Sequence, residues 1–202
     1  KNEIARWILE EKVLAIDPKY VPALTSLGRI YYRTGRWEDL LDMYRRELEV
    51  TPRGSGAVSL LLKMGELCEE RIGRDDEALA HYKRAVEIEP ASHPALRAYA
   101  RKLRERGEWA QLAKVLEAEL GGLGDPSRRT LAAYRIGEVY EERLGQNDRA
   151  IAMYELALKI APDYRPAVDA LARLRADAKS WTKLVDELAR ETVTAKDPAL
   201  AI

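Results

Sequence analysis

Arg97, Arg101 and Arg104 recur at i, i+4 and i+7, a spacing that lines three guanidinium groups along one stripe of a helix. Such planar forks suit carboxylate or phosphate, so the segment RAYARKLRERG (97–107) is a candidate anion site. Other chemistry-bearing residues are sparse. Cys68 is the one cysteine, which excludes an intrachain disulfide framework, and a Cys-based zinc site is not expected. Its expected role is that of a buried structural thiol. His81 and His93 are the two histidines, too few for a His-rich metal site. Both are expected to be solvated, and neither shows an acid–base partner. The glycines at 121, 122 and 124 lack the Lys and Ser/Thr of a phosphate-binding loop and read as a turn. No nucleophile is paired with a base. The expectation is a protein with no catalytic residue, no metal and no cofactor.

The 202 residues carry 34 Lys plus Arg and 34 Asp plus Glu, a net charge of zero. That weighs against a chain held to nucleic acid or to an anionic membrane by bulk charge. With 47% hydrophobic and 34% charged residues, the composition is that of a folded, soluble protein. No apolar run approaches the roughly 18 residues of a membrane span, so no membrane insertion is expected. The chain opens on Lys1 without a signal peptide. It reads as a piece of a longer protein, expected in the cytoplasm.

Positioning these side chains is the task of a repeat. Trp37, Trp109 and Trp181 are evenly spaced, and the same interval separates Pro18, Pro90 and Pro162, and again Pro22, Pro94 and Pro166. Gly65 and Gly137, and Gly73 and Gly145, share that spacing. The period divides again: Pro18 to Pro52 is 34 residues and Pro52 to Pro90 is 38. Each half reads as two amphipathic helices. In residues 18–52, Leu24, Leu27, Ile30 and Tyr31 form one apolar stripe. Gly35 stops that helix. Trp37, Leu40, Leu41, Tyr44 and Leu48 form a second stripe, and Pro52 closes the unit.

This pattern resembles the tetratricopeptide repeat, a helix-turn-helix family of about 34 residues per repeat. Leu27-Gly28, Gly35, Trp37 and Pro52 stand at the family positions. So do Ala78, Tyr82, Ala85 and Pro90, and Ala150, Tyr154, Ala157 and Pro162. The resemblance implies an all-α fold, a right-handed α-solenoid of stacked helix-turn-helix repeats. The expected organisation is a single array over 1–202: an orphan helix at 1–17, then helix pairs at 18–51, 52–89, 90–125, 126–161 and 162–202. The last pair is expected as helices near 164–177 and 180–193. Even repeats depart from the family by one residue, with eight from Gly65 to Gly73 and from Gly137 to Gly145. Odd repeats put Glu47, Glu119 and Glu191 at a normally small, packed site. A carboxylate there must be paired or reach water. The expected pairs are Glu47–Lys63 and Glu119–Arg135, whereas Glu191 has no following helix, as in a truncated array. All four tryptophans read as core. The terminal helices, with Ile4, Trp7, Ile8 and Val13 at one end and Trp181, Leu184, Val185 and Leu188 at the other, read as uncapped apolar faces. Weak end-to-end self-association is the expected result.

The resemblance also implies a concave groove lined by the first helix of each pair, where family members hold a peptide. The groove residues it marks include Arg29, Tyr32 and Arg33, then Glu66, then Arg97, Arg101 and Arg104, then Tyr134 and Glu138, then Arg173. One equivalent position reads Arg29, Glu66, Arg101, Glu138, Arg173, alternating in sign. Two interpretations stand. The alternation could be a ladder of ion pairs between neighbouring helices, each contributing on the order of 0–1 kcal/mol. Or the three arginines of the third pair could hold an anionic group. The Lys, Asn and Arg clamp of chaperone-binding members is absent, because Arg29 and Arg101 stand where it needs Asn.

The favoured class is a non-enzymatic interaction scaffold whose partner is a protein or peptide and could be acidic. An RNA-processing module of half-tetratricopeptide-like repeats is a second class, against which the zero net charge weighs. A third is the targeting arm of an enzyme. Arg outnumbers Lys by 23 to 11, a bias expected of a GC-rich bacterium. Bacterial proteins resembling such arrays serve in envelope, secretion, motility and cell-polarity assemblies.

Overall fold

Residues 2–196 are described by a computed structural model of the chain. Among them only helices and turns occur. Two compact units divide the chain, 1–119 and 120–202. Each is all-α and built of stacked helix-turn-helix repeats, the α-solenoid class of fold.

In the first unit, α1 (Asn2–Ile8) passes into a π turn at Leu9–Val13. It is followed by α2 (Val21–Thr34), α3 (Trp37–Val50), α4 (Ser55–Leu67), α5 (Asp75–Ile88) and α6 (His93–Glu105). α7 (Trp109–Gly122) crosses the boundary between the units. The second unit continues with α8 (Pro126–Glu138), α9 (Asn147–Ile160) and α10 (Arg165–Lys196). Helices pack in sequence order, α2 on α3, α4 on α5 and α8 on α9.

Glycines and prolines set the boundaries. Gly35, Gly73, Gly107 and Gly145 follow their helices with φ between 62° and 77°, the left-handed conformation that other residues adopt only at a cost. Pro22, Pro94 and Pro126 sit in first turns, where a missing N–H costs nothing. Asp125 caps α8, its carboxylate accepting from the Arg128 backbone N–H at 2.8 Å.

The extra residue of the even repeats is absorbed as a π turn. α4 ends in one at Cys68–Ile72 and α8 in one at Val139–Arg143. An i→i+5 bond there accommodates one more residue without breaking the helix. Just before each turn a glycine takes a close-packed ring. The Tyr82 ring lies so close on Gly65 that an added Cβ would fall inside it, and Tyr154 lies the same way on Gly137. Both rings are fully buried, each contributing about 1.5–3 kcal/mol by burial.

Three expectations need correction. The helices near 164–177 and 180–193 are one continuous helix, α10. The position equivalent to Gly35 and Gly107 is Lys179, which has no preference for the left-handed turn that would end the helix. The tryptophans are not uniformly core. Trp37 and Trp109, which follow left-handed glycines, are half-buried against the first unit's core. Trp181, inside α10 with no turn to fold it back, is 66% exposed, and Trp7 on α1 is 50% exposed. His81 is not solvated, its side chain being 14% exposed. The side chains of Leu184, Leu188 and Glu191 lie outside the described residues.

Candidate interaction surface

In the first unit the first helices α2 and α4 flank two adjoining hollows over α3. One, of about 380 Å³, is lined by Arg29, Tyr32, Arg33, Tyr44, Glu47 and Lys63 among others. The next, of about 220 Å³, shares Tyr32, Tyr44 and Lys63 and adds Glu66, Glu70 and Arg71. Tyr32 is 59% exposed and is propped edge-on against Trp37, ring centroids 5.6 Å apart. The Arg71 guanidinium covers the same Trp37 ring at 5.3 Å. Arg29, Arg33 and Lys63 make no ion pair among the described residues and stand around that aromatic edge. Glu47 and Lys63 share the first hollow without the ion pair expected of them. Burial raises the Glu47 carboxyl above its ordinary value, and Lys63 only partly opposes this.

Arg101 is placed differently. Its guanidinium grips the Glu69 carboxylate with two donors, one at 2.7 Å, and also reaches Glu105 at 3.1 Å. Glu69 accepts in addition from the Tyr82 hydroxyl at 3.1 Å. The bond from Arg101 outweighs the cost of burial and, with that from Tyr82, holds the Glu69 carboxyl down to about 2. Next to it the ammonium of Lys102, only 5% exposed, is enclosed by Asp75 at 2.8 Å, Glu105 at 3.0 Å and Glu69 at 3.4 Å. Arg97 and Arg104 are exposed and make no ion pair among the described residues. The stripe expected from spacing is therefore divided: its middle member is committed to a neighbouring helix.

The second unit repeats the arrangement. Arg173 forms an ion pair with Glu141 at 2.7 Å, and the Tyr154 hydroxyl donates to Glu141 at 2.8 Å. Tyr134 stacks against Tyr154 and Tyr164, with centroids 5.5 and 5.6 Å away. Burial first, and then the Glu138 carboxylate one turn on, push its hydroxyl up to about 12. Glu138 is half-buried beside it.

In both units the acid that takes the arginine comes from a π turn. Arg101 meets Glu69 and Arg173 meets Glu141, each acid three residues beyond the sign-alternating position held by Glu66 and Glu138. The signal was present, since Glu69 and Glu141, Tyr82 and Tyr154, and Arg101 and Arg173 are each separated by the interval of the tryptophans. Lys102 had no such signal, because Leu174 stands at the corresponding position.

No metal-ligand set was expected from sequence, yet the fold brings one thiol, one carboxylate and one imidazole together. Ligand atoms of Cys68, Glu77 and His81 all lie within 4.8 Å of one another. No helix among the described residues is long and apolar enough to cross a membrane.

Residues 20–90 and 132–164 match family profiles described as Tetratricopeptide repeat. A stretch of 84 residues, 42% of the chain, is 33% identical to the Protein CTR9 homolog of Arabidopsis thaliana, of whose length it spans 7%. Among solved structures, MamA is 22% identical with a TM-score of 0.45, over 84% of this chain and 97% of that one. YrrB, described as a TPR protein with an unusual peptide-binding site, is 22% identical with a TM-score of 0.48, over 84% of this chain and 82% of its own.

Proposed function

Since the chain belongs to the tetratricopeptide repeat family, we propose that it is a non-enzymatic protein-interaction scaffold that holds an acidic peptide segment on the α2–α4 face. One observation carries the proposal. An exposed, propped aromatic, Tyr32, stands among Arg29, Arg33 and Lys63, none of which is held in an ion pair among the described residues. A ring fixed against Trp37 offers contact area without having to be ordered on binding. Cations that are not already paired need not give up a partner to meet an incoming carboxylate. At Arg101, by contrast, an anionic ligand would have to displace Glu69.

A selection from a random peptide library on the purified chain tests this. Acidic sequences should be enriched. Arg33→Glu and Lys63→Glu should each weaken a selected peptide at least tenfold while leaving helicity intact, and Arg104→Glu should leave it unchanged. Enrichment without acidic residues, or equal loss in Arg104→Glu, overturns the proposal. An RNA ligand would instead show affinity falling steeply with salt, as phosphate contacts release counterions.

A further inference from the structure

We propose that Cys68, Glu77 and His81 form a three-ligand site for a zinc ion, which staples the π turn of α4 to α5. Each supplies an atom of a type that zinc takes, namely thiolate, carboxylate oxygen and imidazole nitrogen. Glu77 and His81 are one turn apart on α5 and project from one face. Cys68 opens the π turn and is fully buried. Their ligand atoms lie within 4.8 Å of one another. In a tetrahedral site with bonds of about 2.0–2.3 Å, ligand atoms stand roughly 3.4–3.6 Å apart. A contraction of about 1 Å is what the site asks of these three side chains.

Two further observations favour a ligand here. His81 Nε2 is buried and finds no hydrogen-bond partner among the described residues, its nearest acid, Glu77, lying at 3.7 Å. A buried polar nitrogen without a partner calls for an explanation. The second unit shows what a purely structural solution looks like. There the corresponding residues are Tyr140, Arg149 and Met153. The Arg149 guanidinium lies over the Tyr140 ring at 5.5 Å. Packing alone is thus met by an aromatic, a cation and a thioether, and only the first unit carries three metal-binding groups at these positions.

Arg45 donates to Glu77 and also holds Asp42 at 2.7 Å, and Arg74 lies 3.5 Å from Glu77 and holds Glu38 at 2.7 Å. Metal binding therefore takes Glu77 from Arg45 and leaves each arginine a second acid. The thiolate and carboxylate charges balance the dication. Binding replaces the S–H bond of Cys68 with an S–Zn bond and releases the proton to solvent, with no change of oxidation state. Water takes the fourth position.

Cobalt(II) is the probe, because a cobalt–thiolate bond gives a charge-transfer absorption and this chain has a single thiol. Titration of the reduced, folded chain with cobalt should raise that band to one equivalent, and zinc should abolish it. Cys68→Ser should remove the band. His81→Gln should weaken cobalt binding more than the 10–100-fold that loss of an outer-shell partner costs. His93→Gln should change nothing. Circular dichroism of each variant confirms the fold. No charge-transfer band at excess cobalt in the unaltered chain, or full affinity in His81→Gln, overturns the site.

Discussion

Arg101 closes a fork on Glu69 across the gap between α6 and the π turn of α4. A single ion-pair contact joins Arg173 to Glu141, one full period further along. In each case a buried tyrosine hydroxyl, from Tyr82 or Tyr154, holds the acid from behind. The acid is thereby fixed before the arginine arrives, so little side-chain entropy is lost in forming the pair.

Charge reversal at Arg101 should therefore act on stability. Arg101→Glu sets a carboxylate against Glu69 and Glu105, and it should lower unfolding free energy by about 1–2 kcal/mol, more than an exposed pair usually contributes. Adding Glu69→Arg should restore part of the loss. Thermal and denaturant unfolding of both variants measure this. If the double variant recovers nothing, the two side chains are not coupled in this way.

The contact of Gly65 with Tyr82 gives a sharper steric test. Gly65→Ala places a methyl group within the Tyr82 ring, and Gly137→Ala does the same at Tyr154. Each should cost about 1–3 kcal/mol, as overpacking does, despite alanine's better helix propensity. Gly56→Ala, where the added carbon would meet only Thr51 at ordinary contact, is the control and should be neutral or stabilising. Urea midpoints of the three variants decide it.

Glu47 carries a pH dependence whose sign can be stated. Burial raises its folded-state pKa above the unfolded value. Stability from the protonated form is complete below the unfolded pKa, near 4.5, and is lost as pH rises through the folded value. Glu47→Gln should then match the parent near pH 4 and exceed it at pH 7. Melting temperatures at the two pH values read this directly. The same substitution removes a negative charge from the hollow around Tyr32 and should tighten an acidic peptide.

Exposed apolar side chains predict self-association. Ile4 and Trp7 on α1 are 67% and 50% exposed, and Trp181 and Val185 on α10 are 66% and 59% exposed. Weak, concentration-dependent association should appear in sedimentation experiments and diminish in Trp181→Lys/Val185→Lys. A strict monomer at high concentration would remove this expectation.

The helix order and most boundaries were legible because glycine and proline mark them by backbone rule, and because Trp, Pro and Gly recur at one interval. The eight-residue interval from Gly65 to Gly73 was legible as an insertion, but not its form. A π turn and a longer α-helix contain the same residues and differ only in hydrogen bonding. The arginine's partner, Glu69, lies within that turn. The fate of Lys179 was obscured for the opposite reason, since the apolar spacing around Trp181 continued while the glycine that breaks the helix did not. His81 and Cys68 belong to different helices, and their approach depends on how α5 lies on α4, which periodicity alone does not report.

The π turns that end α4 and α8 also set the grain size at which this chain can be cut and rejoined. Past each turn the helix surface is advanced by one residue, about 100° of rotation, so a first helix from an even repeat cannot stand in for one from an odd repeat without turning its acids away from their arginines. Deletions, duplications or grafts should keep the Tyr–Glu–Arg connection only in whole steps of the interval from Trp37 to Trp109. The interchangeable brick of this array is a pair of repeats, twice the length of the family's own.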